Sequence, residues 1–369
     1  MARQILQPSP YLRLASFGHN TSGGAGFTTV PERWMGDWPS NLALGKLCEE
    51  IGFDFLIPVA RYKGYGGLAD YQGSVMDPVA WASALLASTK RITVFATVHT
   101  AFTHPVLAAK QFASLDAIGE GRFALNVVCG WNKGEYEMFG LTLPPEHEVR
   151  YGIGEEWLQI VQRIWAGGER FDHDGRFYKL KDVGGRPGLH DGPLPLMNAG
   201  ASSEGRAFSA KYSDILFTSM VEPEQSAEQI RTHKALAASF GKDAKVMTGS
   251  HCVCRPTRKE AQDYLRHYAV DNGDEEGVER LMASLQLTSK SFAPELFQQM
   301  KIRFAAGHGG FPLVGSPDDV ADGIERVHKA GFFGLTVGFV NSLTELPYFH
   351  QEVMPRLVKR GVRNPAGPC

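Results

Sequence analysis

Along the chain, short runs of apolar and β-branched residues alternate with longer stretches in which apolar positions recur every three or four residues. The short runs are LRLASF (12–17), DFLIPVA (54–60), RITVFATV (91–98), FALNVV (123–128), PLMNA (195–199), DILFTS (214–219), KVMTGSHCV (245–253) and GLTVGFV (334–340), all with the length and residue types of strands. Helical stretches such as NLALGKLCEEIG, PVAWASALLAST, PVLAAKQFASLDAIG and PDDVADGIERVHKAG separate nearly all of them, several opening on proline and closing on glycine. Eight strand and helix units in one chain predict an α/β fold, the (β/α)8 TIM barrel, whose chemistry gathers at the carboxyl ends of the strands.

Two regions break the rhythm. Residues 167–193 are rich in Gly, Asp and His and read as a long excursion before the fifth strand. Residues 271–313 hold a helix-like piece and then AAGHGGFPLVG, a glycine density suited to a mobile lid. The organisation expected is one barrel domain over 1–369 with a lid insertion at 271–313.

At 369 residues and 43% apolar the chain can bury a large core, and its length is ordinary for an α/β barrel. A net charge of -2 without a basic patch argues against nucleic acid and anionic membrane as partners. The start MARQILQPSPYLRLAS lacks the apolar core of a signal peptide, and no stretch approaches the roughly 20 apolar residues that span a bilayer, so a soluble, cytoplasmic protein is expected. Five cysteines (Cys48, Cys129, Cys252, Cys254, Cys369) make an odd set without a CxxC, expected as free thiols. SHCVC with His251 lacks a second ligand cluster, so no metal site is expected.

The expected strand ends deliver FGHNTSGG, ARYKGYGG, ATVHTAFTH, NVVCGWNKGEYE and NAGASSEGRAF, the most polar and glycine-rich pieces of the first 210 residues. In the fourth, packing explains Val127 and Val128 but leaves Asn126, Trp131 and Glu135 in need of partners. In the fifth, Gly200 and its small neighbours lead into a helix beginning near Ser202 and Ser203, whose free N–H groups suit a phosphate. Arg150 and Tyr151 stand in a candidate partner loop, and an ordinary serine cap with Glu204 in the first turn remains the alternative. GYGGLA (64–69) has the letters of a dinucleotide fingerprint, but no long helix begins directly there, so it reads as a close-approach loop. His19 is followed by Asn20 rather than by the HxH pair that barrel hydrolases use for metal. His99 and His104 stand five apart, a poor spacing for ligands on one strand face.

The run GRFALNVVCGWNKGEYEMFG, preceded by HPVLAAKQFASLDAIGEGR and followed by NAGASSEGRAFSAKYSD, resembles the bacterial luciferase-like superfamily of flavin-dependent monooxygenases. Within it the chain is most similar to the two-component branch that contains pyrimidine monooxygenase and dimethyl sulfone monooxygenase. The resemblance runs from about residue 45 to 220, returns at LVGSPDDVADGIERVHKAGFFGLTVGF and is weakest at 221–310. It implies a luciferase-like barrel with insertions that takes reduced FMN from a separate NAD(P)H:flavin reductase and activates O2 at the flavin. A small organic molecule would be oxidised, with C–N or C–S cleavage as in the nearest relatives, in a homodimer or homotetramer. Carried over by position, Ala60, Arg61, Thr97, Asn126, Glu135, Arg150, Tyr151, Gly200, Ser202 and Ser203 would meet the cofactor. Thr97 and Asn126 would approach its reacting edge. Phe102 and Trp131 suit a dry pocket, while His19, Asn20 and His99 would orient a polar substrate. Cys129 stands where the family more often has Ser or Thr, and Glu120 interrupts a usual Gly-Gly-Arg. A deazaflavin-dependent dehydrogenase on the same barrel and a flavin-binding protein without turnover are the alternatives.

Overall fold

A computed structural model describes residues 3–190, 192–287, 293–365 and 367. Cys369, and residues 288–292 of the expected lid, lie outside the described residues. The strands are β1 (Arg13–Phe17), β2 (Phe55–Ile57), β3 (Thr93–His99), β4 (Phe123–Val128), β5 (Phe171–Asp174), β6 (Lys179–Val183), β7 (Leu196–Asn198), β8 (Ile215–Phe217), β9 (Lys245–Cys254), β10 (Phe311–Gly315) and β11 (Gly334–Gly338). The helices are α1 (Trp38–Glu50), α2 (Pro78–Ser88), α3 (Pro105–Ile118), α4 (Lys133–Met138), α5 (His147–Ala166), α6 (Ser203–Tyr212), α7 (Pro223–Ser239), α8 (Arg258–Arg266), α9 (Glu275–Ser284), α10 (Pro294–Gly307), α11 (Pro317–Lys329) and α12 (Ser342–Lys359). All eight expected strands are present. Their order, β1-β2-β3-β4-β7-β8-β9-β11 with β11 back on β1, is the closed order of a (β/α)8 barrel, and β10 adds to β9. Among the described residues no helix is long and apolar enough to cross a membrane.

The chain divides into two compact units, Met1–Pro8 with Asp77–Phe217 and Thr232–Lys245, and Ser9–Met76 with Thr218–Arg231 and Val246–Cys369. In the first unit β3 is buried along its whole length, and β4 lies beside it with Thr97 opposite Asn126 and His99 opposite Val128. Helix α5 packs on α3 and the turn before it through two tryptophans, Trp157 donating to the Thr103 carbonyl (2.7 Å) and Trp165 to that of Ala109 (3.0 Å). The excursion at 167–193 holds an antiparallel hairpin, β5 on β6, that the sequence pattern missed because FDHD and KLKDV are largely exposed and polar on both faces. Glu156 of α5 holds its turn, accepting from Phe177 N and Tyr178 N (both 2.9 Å) and bonding His173 Nε2 (3.0 Å).

In the second unit β1 lies between β2 and β11, and β9 carries β10 and β11. Asp54, at the start of β2, accepts from Leu14 N (2.8 Å) and from Arg363 Nη1 (2.7 Å), with Arg13 at 3.6 Å. Residues 271–313 are mostly helical where described, and their glycine-dense end runs into a strand, β10. Pro312 hid that strand; it is tolerated because β10 is the edge strand of the sheet, paired with β9 and with no second ladder to feed among the described residues.

Candidate functional site

Each unit gathers part of the expected set. In the first, Asn126 near the end of β4 is 7% exposed, and its Nδ2 donates to Thr97 Oγ1 on the neighbouring strand at 3.3 Å. Its Oδ1 is buried with no hydrogen-bond partner. Such an atom costs free energy unless a ligand or water completes it. The chain then turns at Gly130, and Asn132 caps the short helix α4 by accepting from Gly134 N (3.0 Å), which places Glu135 in the first turn, fully buried. Trp131 is half-buried. His99 at the end of β3 is stacked on Phe102 (centroids 5.2 Å, 12°), and Phe102 is stacked on Phe139 (4.3 Å, 6°) with Tyr136 edge-on (5.0 Å). These rings make an apolar wall beside a polar strand end.

Arg150 and Tyr151 lie in the first turns of α5, and Arg150 is 8% exposed. Burial first, then the neighbouring Cys129, push the Tyr151 phenol up to about 12, so it stays a hydroxyl, and it hydrogen-bonds Ser202. Cys129 is likewise buried and its thiol is pushed up, so it is not a nucleophile at neutral pH. Ser202 is the cap of α6, accepting from Gly205 N at 3.1 Å, so the capping alternative is physically realised. Ser203 is exposed and donates to Glu204 Oε2 (3.0 Å). The turn before α6 has no room for side chains: a Cβ on Gly200 would meet the Gly205 backbone at 2.5 Å, and one on Gly205 would meet the Tyr151 hydroxyl at 2.4 Å. Asn198, not singled out from the sequence, holds this turn by donating to the Val127 carbonyl (2.7 Å) and accepting from Gly200 N (2.9 Å). Its place two residues before the glycine, the spacing of an Asx turn, was the available signal.

In the second unit His19 and Asn20 follow β1. His19 is bonded on both ring nitrogens, to Ser16 Oγ (2.5 Å) and Ser342 Oγ (2.6 Å), and sits edge-on to Trp34 (5.2 Å), whose Nε1 donates to the His19 carbonyl. Burial pushes its pKa down to about 3. Both amide hydrogens of Asn20 go to backbone carbonyls, Val59 (2.8 Å) and Met76 (2.9 Å), and its oxygen accepts from Val59 N (2.9 Å). The geometry of both is that of braces between strand ends rather than of ligand contacts. Ala60 and Arg61 follow β2, 4% and 7% exposed; Arg61 Nε donates to Gln72 Oε1 (3.0 Å) and its guanidinium lies over Tyr65 (5.2 Å).

The luciferase-like monooxygenase family model matches residues 15–333. An FMNH(2)-dependent dimethylsulfone monooxygenase of Pseudomonas putida is 29% identical over 354 residues, 93% of this chain and 94% of the relative. The pyrimidine monooxygenase RutA of Escherichia coli O6:H1 is 28% identical over 345 residues, 90% of this chain and 86% of the relative. The long-chain alkane monooxygenase LadA has the same fold, with a TM-score of 0.85 at 21% identity over 97% of this chain and 93% of that one. Since the model spans most of the sequence, from the first barrel strand to the threshold of the last, the chain belongs to the luciferase-like monooxygenase family.

Proposed function

We propose that the protein is an FMN-dependent monooxygenase that uses reduced FMN and O2 to oxidise a small organic molecule. The observation that carries the cofactor assignment is the buried Asn126 Oδ1, an acceptor that the protein leaves uncompleted and that a flavin ring N–H would complete. Glu135, buried a short turn away, would take a second polar edge of the ring. Arg150, Tyr151 and the first-turn N–H groups at Ser203 and Glu204, with Gly200 allowing close approach, would hold the phosphate, while Ser202 keeps the helix start in place. Ala60 and Arg61, in the second unit, take a cofactor role from the family resemblance alone.

Bound reduced FMN would supply the electrons that activate O2. The chain's own share is to fix the ring, to keep Thr97 and Asn126 at its polar edge, and to exclude water with Phe102, packed among His99, Tyr136 and Phe139, and with Trp131. Both curated relatives are monooxygenases, which favours this reading over a deazaflavin dehydrogenase. Their names point to small sulfones and pyrimidine-like heterocycles as the first substrates to try, with C–S or C–N cleavage as the outcome. A separate NAD(P)H:flavin reductase, a homo-oligomeric assembly and a cytoplasmic setting complete the proposal.

The test has two arms. Oxygen uptake with NADH, a flavin reductase and FMN should become coupled to an oxygenated product for a member of that panel; reduction without oxygen by a deazaflavin donor would overturn the reading. Fluorescence titration should show FMN bound about 10-fold or more tighter than riboflavin, from a charge-assisted contact set worth roughly 1.5 to 3 kcal/mol. Equal affinities would remove the phosphate cradle.

A further inference from the structure

The glycine motif GYGGLA, which resembles a dinucleotide fingerprint only in its letters, lies in a loop of unusual backbone. Gly66 and Gly67 have φ of 64° and 75°, and the non-glycine residues Asp70 and Gln72 also sit in the left-handed region, at 44° and 57°. Left-handed residues other than glycine persist where surrounding contacts over-determine the chain, and they gather at functional sites. Arg61 is what this loop holds. Gln72 accepts from its Nε at 3.0 Å, Tyr65 lies under its guanidinium, and Tyr65 N in turn donates to the Tyr71 carbonyl at 3.1 Å.

The contacts that impose this backbone come from far along the sequence. Asp274, the cap of α9 and 2% exposed, accepts from Ala69 N at 2.8 Å with one carboxylate oxygen and from Gly277 N at 3.2 Å with the other. Gly67 passes so close that a Cβ there would stand 2.3 Å from the carboxylate. One turn and a half further on, Arg280 donates to the Tyr65 carbonyl at 3.3 Å and fills the space beside Gly66. On the other side His308, left-handed at the end of α10 (φ 54°), packs on Tyr71 (5.8 Å), Tyr65 (6.3 Å) and Phe27 (6.4 Å). His308 stays exposed on its outer side, so its share in this stack is ring packing alone. The helical excursion is itself tied down beside the loop, Phe27 N donating to Ala305 and Asp274 N to the Phe27 carbonyl.

We infer that Asp274 is a positioning residue for Arg61: by holding Ala69 N against Gly67 it keeps the 65–72 loop in its left-handed form, and that form presents the guanidinium. A buried carboxylate on a backbone N–H is the strongest single tie in the set, and Arg280 and His308 act on the same loop from either side. The inference deepens the cofactor reading, in which Arg61 meets the ligand, but its primary readout is Arg61 itself. Docking of the α9–α10 excursion and the readiness of the Arg61 site are then one event rather than two.

The full-length protein is treated with phenylglyoxal and the modification of Arg61 is followed by peptide mass spectrometry, with Arg13, buried against Asp54 in the same unit, as the internal reference. Asp274→Ala should speed the labelling of Arg61 about tenfold or more, the factor equivalent to losing one charge-assisted hydrogen bond, with Arg13 unchanged. Arg280→Met, which leaves the α9 cap intact, should give a smaller rise, and Asp274→Asn, which keeps an oxygen acceptor, should restore slow labelling. Unchanged Arg61 in Asp274→Ala and Arg280→Met overturns the inference, and so does a parallel rise at Arg13, which marks general loosening. Arg61→Lys separates the two claims: unaltered FMN affinity there would remove Arg61 from the cofactor site while leaving the labelling result to stand.

Discussion

Asn126→Leu should separate the needs of the fold from the needs of the ligand. The branch at Cγ is kept but the side chain grows, so an overpacking strain of about 1 to 3 kcal/mol is added. What is lost is one long hydrogen bond to Thr97 Oγ1, at 3.3 Å, worth about 0.5 to 1.5 kcal/mol. What is gained is removal of a buried oxygen without a partner, whose desolvation costs about 1 to 3 kcal/mol. The gain offsets the lost bond and the strain, so the ligand-free protein should unfold at nearly unchanged urea. Asn198→Leu is the contrast, since that amide is engaged at both ends and its loss orphans the Val127 carbonyl and Gly200 N; each should cost about 1 to 3 kcal/mol. In the presence of cofactor the order reverses. Asn126→Leu should bind FMN about 5- to 10-fold more weakly, as for one neutral hydrogen bond. It should form product about 10² to 10³ more slowly, with more hydrogen peroxide released per product, because a preorganised polar contact at a reacting centre is gone. Urea denaturation without flavin, fluorescence titration and the peroxide-to-product ratio measure the three. Destabilisation equal to that of Asn198→Leu together with unchanged FMN affinity and coupling would refute the reasoning and make Asn126 a structural amide.

Two further predictions concern the frame. His19 has a folded-state pKa of about 3 against an ordinary value of 6.5, so between those limits the folded chain binds fewer protons than the unfolded one and stability falls as the pH falls. From pH 6.5 to 5 the loss should be about 2 kcal/mol at most from this group. In His19→Gln the difference between urea midpoints at pH 7 and pH 5 should shrink, and an unchanged difference would show that His19 is not the titrating group. Arg363→Ala removes a guanidinium 1% exposed that donates to Asp54 and to the Leu12 carbonyl. Stranding the carboxylate costs about 3 to 5 kcal/mol in such settings, and the lower end is expected because Arg13 stays at 3.6 Å; a loss under about 1 kcal/mol would contradict it.

The barrel was legible because burial on both faces makes its strands nearly continuous apolar runs, and a run such as FALNVV needs no partner information to be recognised. The hairpin and β10 were not legible for the opposite reason: their pairing is set by neighbours, and FDHD, KLKDV and FPLVG carry charges, a proline and a glycine that read locally as loop. Part of the candidate site was visible in the same way. Asn126 and Glu135 stand out as polar groups on a buried run, whereas the tie from Asp274 to Ala69 spans 205 residues and leaves no local trace.

His19, Asn20, Asn126 and Asn198 look alike in sequence, as polar residues near strand ends, and the structure divides them by hydrogen-bond satisfaction alone. A barrel must hold its strand ends where the polypeptide turns outward, and the cheapest device is a short amide or imidazole bonded to the backbone of the next element. Asn20 and Asn198 do this with both the amide nitrogen and the amide oxygen in use, and His19 does it with both nitrogens. A residue in that state has little left to offer a ligand, because engaging one would break a bond already made. Asn126 differs in one atom. Its oxygen has been carried into the interior, at a cost, and given nothing. A fold under pressure for stability alone would replace such a group by leucine, so its presence is best explained by a molecule that the chain does not itself contain. The strand-end residues that complete the fold and those that await a ligand are told apart by that count, not by residue type.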